Sequence, residues 1–254
     1  MSQSDAPSDR PAPDASGYWV ESRRPLTALA FVAPLLVAYE LGVLWLGPQA
    51  IRNGADVWLR HLLEAAGFGG YFLLPTLCVC ILLGWHHTTR RPWRVSTGVL
   101  GNMALECVAL AFCLRLVLLL QSTFFDPGLS VPAALSAEAQ DTARQLVGFL
   151  GAGVYEELLF RLIMLSTVVW LLRQFGAQAT ASLVAAALLT SVVFAAAHYV
   201  GPHAEPLEWG SHWFWFTFLF RFLAGLFFSA LFVLRGFGIA VGTHAGYNIL
   251  VGIL

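Results

Sequence analysis

Two adjacent glutamates and one arginine lie in an apolar segment that is long enough to cross a membrane. Glu156 and Glu157 occupy the middle of residues 146–172, and Arg161 follows Glu157 by four positions. Ionised side chains within a bilayer are strongly unfavourable unless they face a partner or a water-filled cavity. These residues are therefore expected to mark a functional site.

The spacing of the three charged residues indicates different roles for them. Glu157 and Arg161 are one helical turn apart, which favours an ion pair on a helix, so we expect this pair to order the site. Glu156 is rotated by about 100° from Glu157 and has no such local partner. A carboxylate of this kind can take and return a proton, so Glu156 is the candidate general base.

Two later apolar segments add further polar side chains. One segment carries His198, and the last segment of the chain carries His244 and Asn248, which are again one helical turn apart. Small residues surround His244 and permit close packing of helices. If the three segments converge, these side chains line one polar cavity together with Glu156.

The elements that must position these residues are membrane helices. The chain is 58% hydrophobic and 11% charged, whereas soluble domains carry about 25% charged residues. A helix of about 20 apolar residues crosses the hydrocarbon core. We therefore predict an all-α, polytopic membrane helix bundle with seven spans, at about residues 26–46, 70–85, 98–120, 146–172, 179–200, 213–234 and 237–254.

The remaining segments and the charge distribution complete this prediction. Residues 1–25, rich in Pro, Ser, Asp and Ala, are predicted to be a disordered polar tail before a single membrane domain over residues 26–254. Residues 55–68 have an amphipathic helical pattern and predict a short interfacial helix. The arginine bias predicts a multi-pass cell-membrane protein with a cytoplasmic N-terminus. A formal net charge of −1 does not indicate a basic surface for binding nucleic acid.

Several types of intramembrane protease are excluded by what the sequence lacks. It contains no HExxH zinc motif. No aspartate lies inside a predicted span, and no serine has a GxSxG setting. A glutamate, two histidines and an asparagine remain as the chemical groups of the site.

Three short motifs resemble those of the CAAX-protease and bacteriocin-processing family, an Abi-type family of intramembrane proteases. Residues 156–161 (EELLFR) match its EExxxR motif, residues 194–198 (FAAAH) match FxxxH, and residues 244–248 (HAGYN) match HxxxN. The motifs occur in the family's order, each on its own predicted span. The resemblance covers about residues 146–254, the catalytic helical core of the predicted membrane domain.

The resemblance implies hydrolysis of a peptide bond in a membrane-associated protein or peptide. It assigns the activation of water to Glu156 and His198. It assigns stabilisation of the oxyanion, or binding of the water, to His244 and Asn248. The expected partners are the lipid bilayer and the substrate.

A metal-bound water is the alternative nucleophile. Glu156, His198 and His244 carry donor atoms that Zn²⁺ accepts, and they would be its ligands if a metal is present. Zinc also brings bound water close to ionisation at neutral pH. A glutamate base works without a metal, so the sequence leaves Zn²⁺ open.

Two other functions compete with a protease. A non-catalytic membrane module, such as a bacteriocin-immunity or scaffold protein, would keep the same polar core for stability. A proton-coupled transporter would show inverted repeats and broken helices, and the sequence shows neither. The topology also conflicts with one implication of the resemblance, because CAAX processing acts on cytosolic prenylated tails and the predicted cavity lies nearer the outer face.

Overall fold

The protein is built from helices that match the predicted spans. The computed structural model describes residues 15–50, 52–125, 139–201 and 204–253, and this part of the chain contains no β-strand. Its helices are α1 (Ala15–Glu21), α2 (Pro25–Leu46), α3 (Gly54–Ala65), α4 (Leu73–Thr89), α5 (Thr97–Phe125), α6 (Ala139–Gly151), α7 (Ser166–Gln174), α8 (Ala179–Ala197), α9 (His212–Arg235) and α10 (Phe237–Ile253).

One helix differs from the others because it contains two π-helical segments. α6 continues without a break through Ala152–Glu156 and Leu158–Leu165 into α7. We call this continuous unit, residues 139–174, the site helix. π-Helical turns are rare and occur frequently at functional sites, and here they carry Glu156 and Arg161, with Glu157 between the two segments.

The predicted all-α membrane bundle is confirmed. Four helices, α2, α5, α8 and α9, are long and apolar enough to cross a membrane, and α4 and α10 are shorter apolar helices. The site helix covers the remaining predicted span, residues 146–172. Each of the seven predicted spans therefore coincides with a helix, and the exposed apolar side chains of these helices suit contact with lipid.

The N-terminal region is more ordered than the sequence indicates. Residues 1–14 of the predicted tail lie outside the described residues, but residues 15–21 form α1 instead of a disordered segment. The Tyr18 hydroxyl donates a hydrogen bond to Glu106, and Arg235 donates to the buried Ser22 hydroxyl over 3.1 Å. These contacts with α5 and α9 hold α1 against the bundle. The predicted interfacial helix is present as α3, although it ends earlier than predicted.

α10 lies at the centre of the bundle and brings the site together. It packs against α2, α5, α9 and the site helix, and most of its residues before Asn248 are buried. Gly153 of the site helix allows the closest approach, because a side-chain Cβ at this position would lie 2.7 Å from the Ala245 Cβ. Small residues permit such close contact between membrane helices, so the two motif-bearing helices meet directly.

Candidate active site

One oxygen of the Glu156 carboxylate accepts a hydrogen bond, and the other has no hydrogen-bond partner among the described residues. Asn53, which precedes α3, donates a hydrogen bond from Nδ2 to Glu156 Oε1 over 2.8 Å. The other oxygen, Oε2, lies 3.8 Å from His244 Nε2. Within the described residues, Oε2 is buried and accepts no hydrogen bond. Oε2 thus faces His244 and keeps its capacity to accept a hydrogen bond.

Glu157 is the anionic centre of a fully buried ion-pair network. Its Oε1 lies 3.0 Å from an Arg161 guanidinium nitrogen and 2.7 Å from His244 Nδ1. Glu157 and Arg161 are 0% and 1% exposed, so each charge depends on its partners. Arg161 also donates to the Gly225 carbonyl over 3.3 Å and lies 4.4 Å above the Phe194 ring. The predicted pairing of Glu157 with Arg161 is present, and it also fixes His244.

His198 caps the C-terminal end of α8 and presents its other ring nitrogen to the site. Its Nδ1 lies 2.9 Å from the Phe194 carbonyl oxygen. Because a carbonyl only accepts hydrogen bonds, Nδ1 is the donor, and in the neutral ring Nε2 is left as an acceptor. The Phe194 ring contacts both histidines, with centroid distances of 5.0 Å to His198 and 6.1 Å to His244. The FxxxH phenylalanine thus packs between the two imidazoles.

A cavity of about 850 Å³ connects Glu156 and His198 with the surface. Its lining includes Asn53 at the inner part and Arg52 and Arg144 among its charged groups. The other lining residues are Pro48, Ala50, Gly54, Ala55, Val57, Trp58, Gln145, Gly148, Phe149, Ala152, Phe160, Ala197, Val200, Gly201 and Ala204. The end of α2, the start of the site helix and the end of α8 therefore share one end of the bundle, which we call the cavity end.

The four predicted catalytic residues do not have equivalent positions. Glu156 and His198 line the cavity, whereas His244 lies behind Glu156 and is 5% exposed. Asn248 is one turn beyond His244, about 6 Å along the helix axis. Among the described residues it neither lines the cavity nor forms a hydrogen bond with the other three. Phe149, which packs against Gly252 on the next turn of α10, contributes to the lining instead.

Sequence reasoning missed the contribution of α3. Asn53 reaches Glu156, and the buried Asp56 anchors the helix by accepting hydrogen bonds from Tyr39, Arg52 and Arg60 over 2.7, 2.7 and 2.6 Å. A contact between positions so distant in the chain leaves no local pattern. The available signal was Asn53 itself, an asparagine directly before an amphipathic helix, which is typical of an N-cap.

The candidate zinc ligands do not form a metal-binding cluster. Among the described residues, no three His, Cys, Asp or Glu side chains are arranged to hold a metal ion. One nitrogen of each histidine is already engaged, His198 with a backbone carbonyl and His244 with Glu157. These contacts leave Nε2 of each ring unused, so zinc binding by Glu156, His198 and His244 stays a prediction.

The comparison with known families agrees with the three motifs. Residues 139–250 match the family described as type II CAAX prenyl endopeptidase Rce1-like. No curated protein and no solved structure matches the chain. The matched range contains Glu156, His198 and His244 but excludes Asn53 and α3. The match covers less than half of the chain, and residues 139–250, which carry the three motifs, are similar to the Rce1-like type II CAAX prenyl endopeptidases.

Proposed function

We propose that this protein is an intramembrane endopeptidase that hydrolyses a peptide bond with a water activated by Glu156 and His198. The observation that carries the proposal is that both side chains line one open cavity within an apolar bundle. The Glu156 side chain is 12% exposed and reaches the cavity lining. A base must lie within hydrogen-bond reach of the proton that it removes, and a water in this cavity satisfies that requirement.

The chemistry follows from the two side chains. A water in the cavity donates one hydrogen bond to the Glu156 carboxylate and the other to His198 Nε2, so that its lone pair faces the substrate carbonyl. Glu156 takes a proton as the water oxygen bonds to the carbonyl carbon. The same carboxyl then returns this proton to the substrate nitrogen as the C–N bond breaks. The products are a new carboxylic acid and a new amine, the acid proton passes to the amine to give a carboxylate and an ammonium group, and Glu156 is regenerated.

His244, Glu157 and Arg161 act through Glu156 in this proposal. His244 stands between the two glutamates, 2.7 Å from Glu157 Oε1 and 3.8 Å from Glu156 Oε2. Arg161 pairs with Glu157 over 3.0 Å and so holds the carboxylate that fixes His244. We assign no substrate contact to Asn248, because it lies outside the cavity lining.

The position of the cavity determines which substrates reach it. α2 starts at the end of the bundle opposite to the cavity. At that end Gly236 packs against the backbone of Arg23, since a Cβ on Gly236 would lie 3.2 Å from the Arg23 Cα. With the N-terminus in the cytoplasm, the cavity opens on the outer side of the cell membrane. We therefore propose a membrane-associated protein or peptide that is reached from that side as the substrate, rather than a cytosolic prenylated tail.

Replacement of Glu156 by glutamine tests the proposed function. Peptides in membranes of cells producing the wild-type protein would be compared by mass spectrometry with those from cells producing Glu156→Gln. We expect cleavage products that are absent from the variant, at equal protein level and unfolding temperature. Asn102→Ser, at an exposed position of α5, is the control and should leave the products unchanged. Identical peptides in wild type and Glu156→Gln would favour an immunity or scaffold protein.

The proposed orientation is tested by labelling single cysteines in a cysteine-free background. Glu64→Cys, on the exposed end of α3, reports the cavity end, and Arg91→Cys, in the exposed segment after α4, reports the opposite end. A membrane-impermeant maleimide should label the first in intact cells and the second only after lysis. The reverse pattern would place the cavity on the cytoplasmic side and would make a cytosolic tail the substrate.

A further inference from the structure

Asn53 holds the Glu156 carboxylate from outside the region that carries the family motifs. Its Nδ2 donates to Glu156 Oε1 over 2.8 Å, while its Oδ1 accepts a hydrogen bond from the Ala55 backbone N–H over 2.9 Å. The second contact is the N-cap of α3, and it fixes which end of the amide faces the carboxylate. Asn53 therefore presents a donor of fixed direction to Glu156.

The backbone around Asn53 is held rigidly against the site helix. Asp56, one turn into α3, is 0% exposed and is bound by the side chains of Tyr39, Arg52 and Arg60. Arg60 extends the network to Glu40 over 3.2 Å. The Tyr155 hydroxyl, next to Glu156 in the chain, donates to the same Glu40 oxygen. Two sets of contacts thus join α3 to the turn of the site helix that bears Glu156. One is the hydrogen bond from Asn53 to Glu156, and the other runs from Arg60 through Glu40 to Tyr155.

We propose that Asn53 is a positioning residue for the reaction, which aims the Glu156 carboxylate at the water in the cavity. The proposal rests on the proposed protease function. By holding Oε1, Asn53 fixes the rotation of the carboxylate plane relative to the cavity that both residues line. The N-terminal third of the chain therefore contributes directly to the geometry of the base, although the family match begins at residue 139.

Two variants separate this role from the capping of α3. Asn53→Asp keeps the size and the N-cap acceptor but replaces the donor with a negative charge. Asn53→Ser also keeps an N-cap and is neutral, but its side chain is too short to reach Glu156. Hydrogen bonds to charged groups are worth enough to change a rate by about 10- to 100-fold. We expect kcat to fall by this factor for Asn53→Ser and further for Asn53→Asp.

Separate measurement of kcat and KM distinguishes a positioning role of Asn53 from substrate binding. With a cleaved peptide identified for the wild-type protein, KM should stay within about twofold, and the circular dichroism spectrum should stay helical because the cap is retained. Asn102→Ser is the control and should leave both constants unchanged. A kcat within about twofold of wild type for Asn53→Asp would overturn the proposal. A raised KM with unchanged kcat would also overturn it, since Asn53 would then bind the substrate.

Infrared spectroscopy tests the contact without any activity measurement. The carboxylate stretching band of Glu156 is isolated by subtracting the spectrum of Glu156→Gln from that of the wild-type protein. Loss of the Asn53 hydrogen bond in Asn53→Ser should shift this band, and an unchanged band would overturn the proposal. If the band shifts but no peptide is cleaved by the wild-type protein, the contact stands and the protease function fails.

Discussion

Replacement of Gly153 by alanine should separate the site helix from α10 and misplace the Glu156 base. Gly153 lies three residues before Glu156 and faces Ala245, the neighbour of His244. A Cβ at this position would lie 2.7 Å from the Ala245 Cβ, 2.9 Å from its backbone nitrogen and 3.0 Å from the Val241 carbonyl oxygen. Two of these atoms belong to the backbone, so a side-chain rotation cannot relieve the clash.

The distances give the size of the expected effect. Non-bonded carbon atoms pack at about 3.5–4.0 Å, so the two helices must separate by about 1 Å to accept the new methyl group. Insertion of a methyl group into a packed core costs about 1–3 kcal/mol. A misplacement of about 1 Å near the reacting groups lowers a rate by about 100-fold. We therefore expect a less stable protein whose cleavage rate falls by about this factor.

The assay compares Gly153→Ala with a glycine that has space around it. Gly101 of α5 would place a Cβ more than 4 Å from any neighbouring group, and alanine in a helix interior is more stable than glycine by about 0.5–1 kcal/mol. Gly101→Ala should therefore keep its activity and match or exceed the wild-type unfolding temperature. If Gly153→Ala behaves like Gly101→Ala in both measurements, the close helix contact and the reasoning from it are refuted.

Arg161→Met leaves the Glu157 carboxylate buried without its cation and should lower the free energy of unfolding by about 3–5 kcal/mol, measured by denaturation in detergent. Adding Glu157→Gln should restore part of the loss, and a double variant no more stable than the single one would contradict the pairing. Asp56→Asn removes the negative charge that binds Arg52 and Arg60, so the cleavage rate should fall while the circular dichroism spectrum stays helical. An unchanged rate would show that α3 does not support the site. Dialysis against a chelator should leave the cleavage rate unchanged, because the proposed activation of water uses Glu156 and His198 alone. Loss of activity that Zn²⁺ restores would contradict this assignment.

The parts of the site that depend on local spacing could be predicted from the sequence. Glu157 and Arg161 are four residues apart, so any helix brings them together, and they form the expected pair. The apolar length of each segment predicts its helix, and the three motifs lie in the range that matches the family model, residues 139–250. His244 also lies near Glu156 as expected, because both residues are at similar depth in their spans.

The parts that depend on packing between distant segments could not be predicted. Asn53 bonds to Glu156 across 103 positions, and nothing in either local sequence records that contact. Asn248 shares a face with His244, but the cavity ends before its turn of α10. α1 looks polar and irregular in sequence, yet the hydrogen bond from Tyr18 to Glu106 holds it on α5. In each case the position of the residue depends on packing against a distant segment, and the local sequence pattern does not determine it.

The reaction in ¹⁸O-labelled water tests the central claim most directly. The purified protein, reconstituted in lipid vesicles, is given a membrane peptide that it cleaves, and the products are weighed by mass spectrometry. We predict one ¹⁸O atom in the new carboxyl terminus with the wild-type protein and no product above background with Glu156→Gln. Cleavage by Glu156→Gln within about twofold of the wild-type rate would contradict the assignment of Glu156 as the base that activates water.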